Sequence, residues 1–136
     1  MFLLDPRLER DTFQVLSLPL CNLLLMNNAL YPWLILVPRR EAVTEIHHLG
    51  HEDRRQLWEE SHRLSCWMTD YFTFDKLNIA ALGNMVSQLH LHHVGRTKDD
   101  PAWPAPVWGH GARVEYRAEQ VETLARAIRE GMRLDA

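Results

Sequence analysis

Two histidines and a glutamine alternate with leucines in one short segment of the chain. Residues 86–94 read VSQLHLHHV. Because side chains of a β-strand alternate between its two faces, Gln88, His90 and His92 would share one face. The other face would carry Leu89, Leu91 and His93 and would pack on the core. The pattern therefore predicts an amide and two imidazoles on the open side of a sheet, a group suited to nucleophilic or acid–base chemistry near pH 7.

A zinc ion is the alternative occupant of such a pair. Structural zinc takes four protein ligands and catalytic zinc takes three, whereas His90 and His92 supply two. His93 would point to the opposite face, and Cys21 and Cys66 are far away in the sequence. We therefore expect no metal, and a metal-binding protein is the weakest of the functions considered. The remaining histidines are interpreted as surface or packing residues: His47, His48, His51, His62 and His110.

The composition limits the remaining classes of function. The chain has 136 residues, 46% of them hydrophobic, and a net charge of −3. This indicates one compact domain over residues 1–136 and disfavours nucleic acid as a partner, since such binders usually carry a basic surplus. The cysteines form neither a Cys-x-x-Cys pair nor a disulfide framework, which favours a reducing compartment. Without a signal-peptide pattern or a long apolar run, the sequence predicts a cytoplasmic protein that has no contact with a membrane.

The pattern of apolar residues predicts an α+β fold. Amphipathic helical periodicity covers residues 52–72 and 118–132, and short aliphatic runs typical of strands lie between turn residues elsewhere. The predicted strands are residues 12–18, 20–26, 33–37, 76–81 and 86–94. The last two would be joined by a short turn at residues 82–84. The sequence thus predicts an antiparallel sheet of about five strands with two main helices, in which the histidine segment pairs with residues 76–81.

The histidine segment resembles the signature of the histidine triad (HIT) family. That signature is His-φ-His-φ-His-φ-φ, where φ is apolar, and here Gln88 stands in the place of the first histidine. The segment at 34–40, LILVPRR, is similar to the family's apolar strand that ends in Pro-Lys-x-His, and Trp103-Pro104 follows the triad as in the family. The resemblance covers roughly residues 11–109 and implies the HIT-like α+β fold, which agrees with the elements predicted above.

The resemblance implies a chemistry for the histidines. His90 matches the middle histidine, the nucleophile that attacks the α-phosphorus of a nucleotide and forms a nucleotidyl-histidine intermediate. His92 matches the third histidine, which contacts the phosphate oxygens as their charge shifts. Gln88 would complete the catalytic group, although an amide can donate and accept hydrogen bonds but cannot be protonated. The implied substrate is a nucleotide phosphoramidate or phosphoanhydride, and no cofactor is expected.

The resemblance also implies substrate contacts and an assembly. Polar contacts to the phosphate or leaving group are expected from Asn78 and Asn84, ribose contacts from Asn27 or Asn28, and stacking or covering of the site from Trp103. Members of the family are typically homodimers, so a two-fold dimer is expected. A non-catalytic nucleotide-binding or regulatory protein is the alternative function, because Gln88 and Met85 replace a histidine and a hydroxyl residue of the family pattern.

Overall fold

The described part of the chain, residues 1–133 of a computed structural model, combines a five-stranded sheet with helices. The predicted α+β fold is confirmed. The elements follow in the order α1 (Pro6–Asp11), β1 (Thr12–Ser17), β2 (Cys21–Met26), β3 (Trp33–Pro38), a 3₁₀ turn (Ile46–His48), α2 (His51–Tyr71), β4 (Lys76–Ala80), β5 (Leu91–Arg96) and α3 (Ala118–Gly131). Over residues 1–133, none of the helices has the length and apolarity needed to cross a bilayer. Residues 134–136 of the predicted domain lie outside the described part.

The sheet has the strand order β1-β2-β3-β5-β4, and all neighbours are antiparallel. The central strand β3, with the sequence WLILVP, is buried along its whole length. A strand that is apolar on both faces needs a cover on each side. One cover consists of α2 and α3, whose Leu57, Leu64, Met68 and Ile128 pack with Leu91 of the sheet.

The opposite face of the sheet is covered by α1 and by the loop that follows β5. Leu8 of α1 and Val107 of the loop pack on Ile35 and Val94. This is the face of the paired imidazoles, so the prediction that it is open is wrong. The sequence signal for α1 is an N-cap: the side chain of Asp5 accepts a hydrogen bond from the backbone N–H of Arg7, and a proline starts the helix.

The histidine strand begins later than predicted. β5 starts at Leu91, and residues 81–90 form a loop in place of the short turn predicted at 82–84. On one side β4 ends at Ala80, which pairs with His92. On the other side the ladder with β3 ends at the pair Leu36–Leu91, although β3 continues to Pro38, which has no N–H to donate. The backbone N–H of Leu89 bonds to the carbonyl oxygen of Val43 and not to β3, and Gly83 turns the loop with a φ of +85°.

Candidate active site

His90 and His92 meet beside a cavity of about 300 Å³ on the covered face of the sheet. Their ring centroids lie 4.8 Å apart, with the rings inclined by 68°. Only 7% of His90 and 4% of His92 is exposed. The predicted juxtaposition of the two imidazoles is thus present, although His90 lies just before the strand. The other residues that line the cavity are Arg7, Leu8, Asp11, Met26, Leu82, Gly83, Asn84, Met85, Val86 and Trp108.

The backbone fixes which nitrogen of His90 carries the proton. Nδ1 of His90 lies 2.7 Å from the carbonyl oxygen of Gln88. A carbonyl only accepts hydrogen bonds, so Nδ1 must be the protonated nitrogen. The lone pair of the neutral ring is then on Nε2. His90 is therefore held in the tautomer that a nucleophilic imidazole requires.

His92 is held in the opposite tautomer. The indole Nε1–H of Trp33 donates to Nδ1 of His92 at 3.0 Å. Because an indole N–H can only donate, Nδ1 of His92 carries the lone pair and Nε2 carries the proton. Burial, followed by the neighbouring His90 and His93, lowers the pKa of His92 to about 3. At pH 7 His92 therefore presents a neutral N–H donor and no positive charge.

His93 is separated from this pair by the sheet. Its Nδ1 donates to the carbonyl oxygen of Leu91 at 3.1 Å, and its Nε2 accepts from the hydroxyl of Ser61 on α2 at 2.8 Å. Burial lowers the pKa of His93 to about 4. This ring is fully buried, so it belongs to the packing between β5 and α2, as its position in the alternating pattern predicts.

The ring of Trp108, in the loop after β5, closes one side of the histidine pair. The Trp108 ring lies 5.1 Å from His92 and 5.9 Å from Trp33, both in edge-to-face arrangements. The loop is held by Arg96, which is 1% exposed and forms a bidentate ion pair with Asp100. This arginine also donates to the carbonyl oxygen of Ala105 at 2.8 Å.

The side chain of Gln88 is turned towards the N-terminal segment. Its Oε1 accepts from the backbone N–H of Asp5, and its Nε2 donates to the carbonyl oxygen of Leu3, both at 2.8 Å. Gln88 lines two neighbouring cavities. It is not among the residues that line the cavity beside the histidine pair. It reaches His90 through its backbone carbonyl alone. A catalytic part for its side chain stays a prediction.

The other residues predicted from the resemblance divide into two groups. Asn84 lines the cavity. The amides of the other three asparagines bond to protein groups: Asn78 accepts from Arg96, while Asn27 and Asn28 hold the backbone of residues 114–116. Trp103 lies outside the cavity lining, with the guanidinium of Arg96 5.7 Å from its ring. Substrate contacts from these four side chains stay predictions.

The structure adds residues that the sequence interpretation missed. Arg7 and Asp11 reach the cavity because α1 crosses the sheet there, and the Asp-Pro start of α1 was a readable signal. Trp33 pairs directly with Val94, which places it diagonally next to His92 on the same face. Only the register of β3 against β5 reveals this neighbour. Within residues 1–133, no group of three or more His, Cys, Asp or Glu side chains is placed to hold a metal ion.

Comparison with known proteins gives the family. The model of the HIT domain matches residues 7–99. A histidine triad protein from Marinobacter aquaeolei is 46% identical (97% of this chain, 96% of that one, TM-score 0.94). One from Bradyrhizobium japonicum is 42% identical, and the match covers 97% of this chain and 98% of that one with a TM-score of 0.94.

The fold is shared with a structure from Sulfolobus tokodaii that is described as a hypothetical histidine triad nucleotide-binding protein. The two chains are 18% identical, and the match covers 90% of this chain and 85% of that one with a TM-score of 0.68. No match was found among curated proteins. Most of the chain is matched by the family model and nearly all of it by relatives above 40% identity. It follows that the chain belongs to the HIT family.

Proposed function

We propose that the protein hydrolyses or transfers the nucleotidyl group of a nucleotide phosphoramidate or phosphoanhydride through His90. The observation that carries the proposal is the pair of opposite tautomers in one cavity: His90 offers a lone pair at Nε2, and His92 offers a proton at Nε2. A nucleophile beside a hydrogen-bond donor is what attack on a phosphorus atom requires. The nucleotide-binding description of the Sulfolobus relative is in line with this substrate class.

The first step forms a bond between Nε2 of His90 and the α-phosphorus, while the P–N or P–O bond to the leaving group breaks. The leaving group keeps the electron pair, and an amine leaving group takes up a proton from solvent. The Nε2–H of His92 donates to a phosphate oxygen as charge accumulates on it. The carbonyl of Gln88 stabilises the positive charge that His90 acquires, because it accepts from Nδ1–H. In the second step water attacks the phosphorus and releases one proton to solvent, the N–P bond breaks, and the lone pair returns to Nε2.

The surroundings of the pair support binding of a nucleotide. Asn84 would contact the phosphate or the leaving group from the loop after β4. Apolar and aromatic side chains, among them Met26, Val86 and Trp108, line the same cavity and would hold a base or another flat group. Met85, which is 80% exposed at the rim, brings no hydroxyl to the leaving group.

We also propose a homodimer in the reducing cytoplasm. β4 is an edge strand of the sheet, and Ile79 on β4 and Tyr71 on α2 are exposed apolar side chains near it. An exposed edge with apolar neighbours is a common site of self-association. Light scattering after size-exclusion chromatography would measure the mass, and a monomer at micromolar concentration would contradict the dimer.

The test of the catalytic proposal is capture of the intermediate. The protein is mixed with adenosine phosphoramidate, and separately with a dinucleoside polyphosphate, then quenched in base and digested. Mass spectrometry is expected to find an adenylyl group on the peptide that contains His90. His90→Ala should lose both the adduct and turnover, whereas His110→Ala, which removes an exposed histidine outside the cavity, should keep both.

Two results would contradict the proposal. Turnover that persists in His90→Ala would show that another group is the nucleophile. Binding of the nucleotide without adduct or turnover in the wild-type protein would instead establish the non-catalytic, regulatory function. Metal analysis of the same sample covers the remaining alternative, because stoichiometric zinc that is lost in His90→Ala would identify a metal site.

A further inference from the structure

The cavity that would receive the substrate contains little positive charge of its own. His92 is neutral at pH 7 because burial lowers its pKa to about 3. A nucleotide brings at least one negative charge on its phosphate, and an anion in a partly buried site needs a cation or several donors. Among the described residues that line the cavity, Arg7 of α1 is the single lysine or arginine.

Arg7 is available for a ligand. Its guanidinium lies 3.5 Å from the carboxylate of Asp5, and about half of the side chain is exposed. Such a loose, exposed pair contributes little and is easily exchanged for a phosphate. Asp11, which also lines the cavity, is already compensated by Arg10 and Arg113 at 3.0 and 3.2 Å. Arg7 therefore carries a positive charge on this wall that only the loose contact with Asp5 offsets.

We infer that Arg7 binds the substrate phosphate, and that Gln88 is the positioning residue that fastens the N-terminal segment so that Arg7 faces the histidine pair. The inference rests on the proposed function. A guanidinium suits this task because its planar fork of donors matches two phosphate oxygens. The first eleven residues thereby become part of the substrate site and not only a cover of the sheet.

The two hydrogen bonds of Gln88 explain why an amide stands at this triad position. The backbone of the N-terminal segment offers an N–H at Asp5 and a carbonyl at Leu3, and one amide can pair with both at once. A neutral imidazole has its donor and acceptor on different sides of the ring and would not span the same pair. The backbone carbonyl of Gln88 meanwhile holds Nδ1 of His90. One residue thus connects the segment that carries Arg7 to the nucleophile.

Calorimetric titration with AMP tests whether Arg7 binds the phosphate. Arg7→Ala should weaken AMP binding by about tenfold or more, the typical effect of losing a charge-assisted pair, and Arg7→Lys should recover only part of it. Adenosine, which has no phosphate, should bind both proteins equally. Arg126→Ala on α3 removes the same charge from an exposed i,i+4 pair and should leave AMP affinity unchanged.

The part of Gln88 is tested by a double-mutant cycle. Gln88→Ala keeps the backbone carbonyl for His90 but removes the two side-chain hydrogen bonds that hold the N-terminal segment at Leu3 and Asp5. AMP affinity should fall about as far as in Arg7→Ala, and the double variant should bind no more weakly than either single one. Hydrogen exchange of the amides in residues 3–11 should become faster in Gln88→Ala, which shows that the segment is released while the rest of the chain stays folded.

The outcomes separate this inference from the function on which it rests. If the wild-type protein binds AMP and Arg7→Ala binds it equally well, the inference is overturned and the proposed function is untouched. If the losses from Arg7→Ala and Gln88→Ala add up in the double variant, the positioning role of Gln88 is overturned. If the wild-type protein does not bind AMP at all, the proposed function fails and the inference fails with it.

Discussion

Two buried histidines should make the protein unusually sensitive to mild acid. In the folded chain the pKa of His92 is lowered to about 3 and that of His93 to about 4, in both cases mainly by burial. In the unfolded chain both should titrate near the ordinary value of about 6.5. Between these values only the unfolded state binds the protons, so acid favours unfolding. The stability that the neutral rings contribute is complete above about pH 6.5 and is lost as the pH falls towards the folded-state values.

The size of the effect follows from the pKa values. At pH 5 an unfolded histidine lies about 1.5 pH units below its pKa, and each unit corresponds to about 1.4 kcal/mol. His92 and His93 stay neutral in the folded protein at this pH. As the pH falls from 7.5 to 5, each ring therefore lowers the free energy of unfolding by about 2 kcal/mol, and the pair lowers it by about 4 kcal/mol. That is a large part of the 5–15 kcal/mol typical of a folded domain. Asp100, with a pKa of about 2, contributes almost nothing in this interval.

Urea unfolding at pH 7.5 and pH 5, at one protein concentration, measures the loss. In His93→Gln the loss between the two pH values should shrink from about 4 to about 2 kcal/mol, because one titrating ring is gone. The exposed His110, replaced in His110→Gln, provides the control and should leave the loss unchanged. An equal loss in His93→Gln and the wild-type protein would refute the reasoning, since the buried ring would then not be what acid acts on.

Two further substitutions test the parts that surround the pair. Trp33→Phe keeps an aromatic ring but removes the donor to Nδ1 of His92, so turnover should fall by roughly five- to tenfold, the value of about one hydrogen bond. Nitrogen NMR should show the second tautomer of His92, and an unchanged spectrum would contradict the assignment. Asp100→Asn leaves the buried guanidinium of Arg96 without its carboxylate and should lower the free energy of unfolding by about 3 kcal/mol. Urea unfolding measures this free energy. Asp99→Asn, at the exposed neighbouring position, is the control and should change it little. Equal losses in the two variants would contradict a stabilising role of the buried Arg96–Asp100 pair.

The fold and the histidine pair could be predicted because each depends on short-range pattern. Alternation along residues 89–94 put His92 on one face and His93 on the other, and the structure places them so. The start of β5 could not be predicted in the same way. Residues 86–90 alternate like a strand, but the ladder with β4 ends at the pair Ala80–His92 and the ladder with β3 ends at the pair Leu36–Leu91, although β3 itself continues to Pro38. The backbone N–H of Leu89 bonds to the carbonyl oxygen of Val43 instead. Whether a partner is present depends on the register of other strands.

The asparagines show a second limit of sequence interpretation. Asn27, Asn28 and Asn78 have the chemistry of phosphate or ribose ligands, yet their amides are used by residues 114–116 and by Arg96. A polar side chain near a site in sequence can also bond to the backbone or to a buried charge, and only the three-dimensional structure shows such partners. Substrate contacts from these three asparagines stay predictions. Arg7 is the opposite case, because it lies about eighty residues before the histidines and reaches them only through the packing of α1.

In each of the three neighbouring histidines, the hydrogen-bond partner of Nδ1 sets the tautomer of the ring. For His90 and His93 the partner of Nδ1 is a backbone carbonyl, so Nε2 has the lone pair; for His92 it is the indole of Trp33, so Nε2 has the proton. The Nε2 lone pair of His93 accepts a hydrogen bond from Ser61 in the core, whereas the Nε2 lone pair of His90 lies next to the cavity. The side chain at position 88 therefore matters little for the tautomer of His90, since the backbone carbonyl of that residue sets it. That leaves the side chain of Gln88 free for another contact, and its two hydrogen bonds hold the segment that carries Arg7.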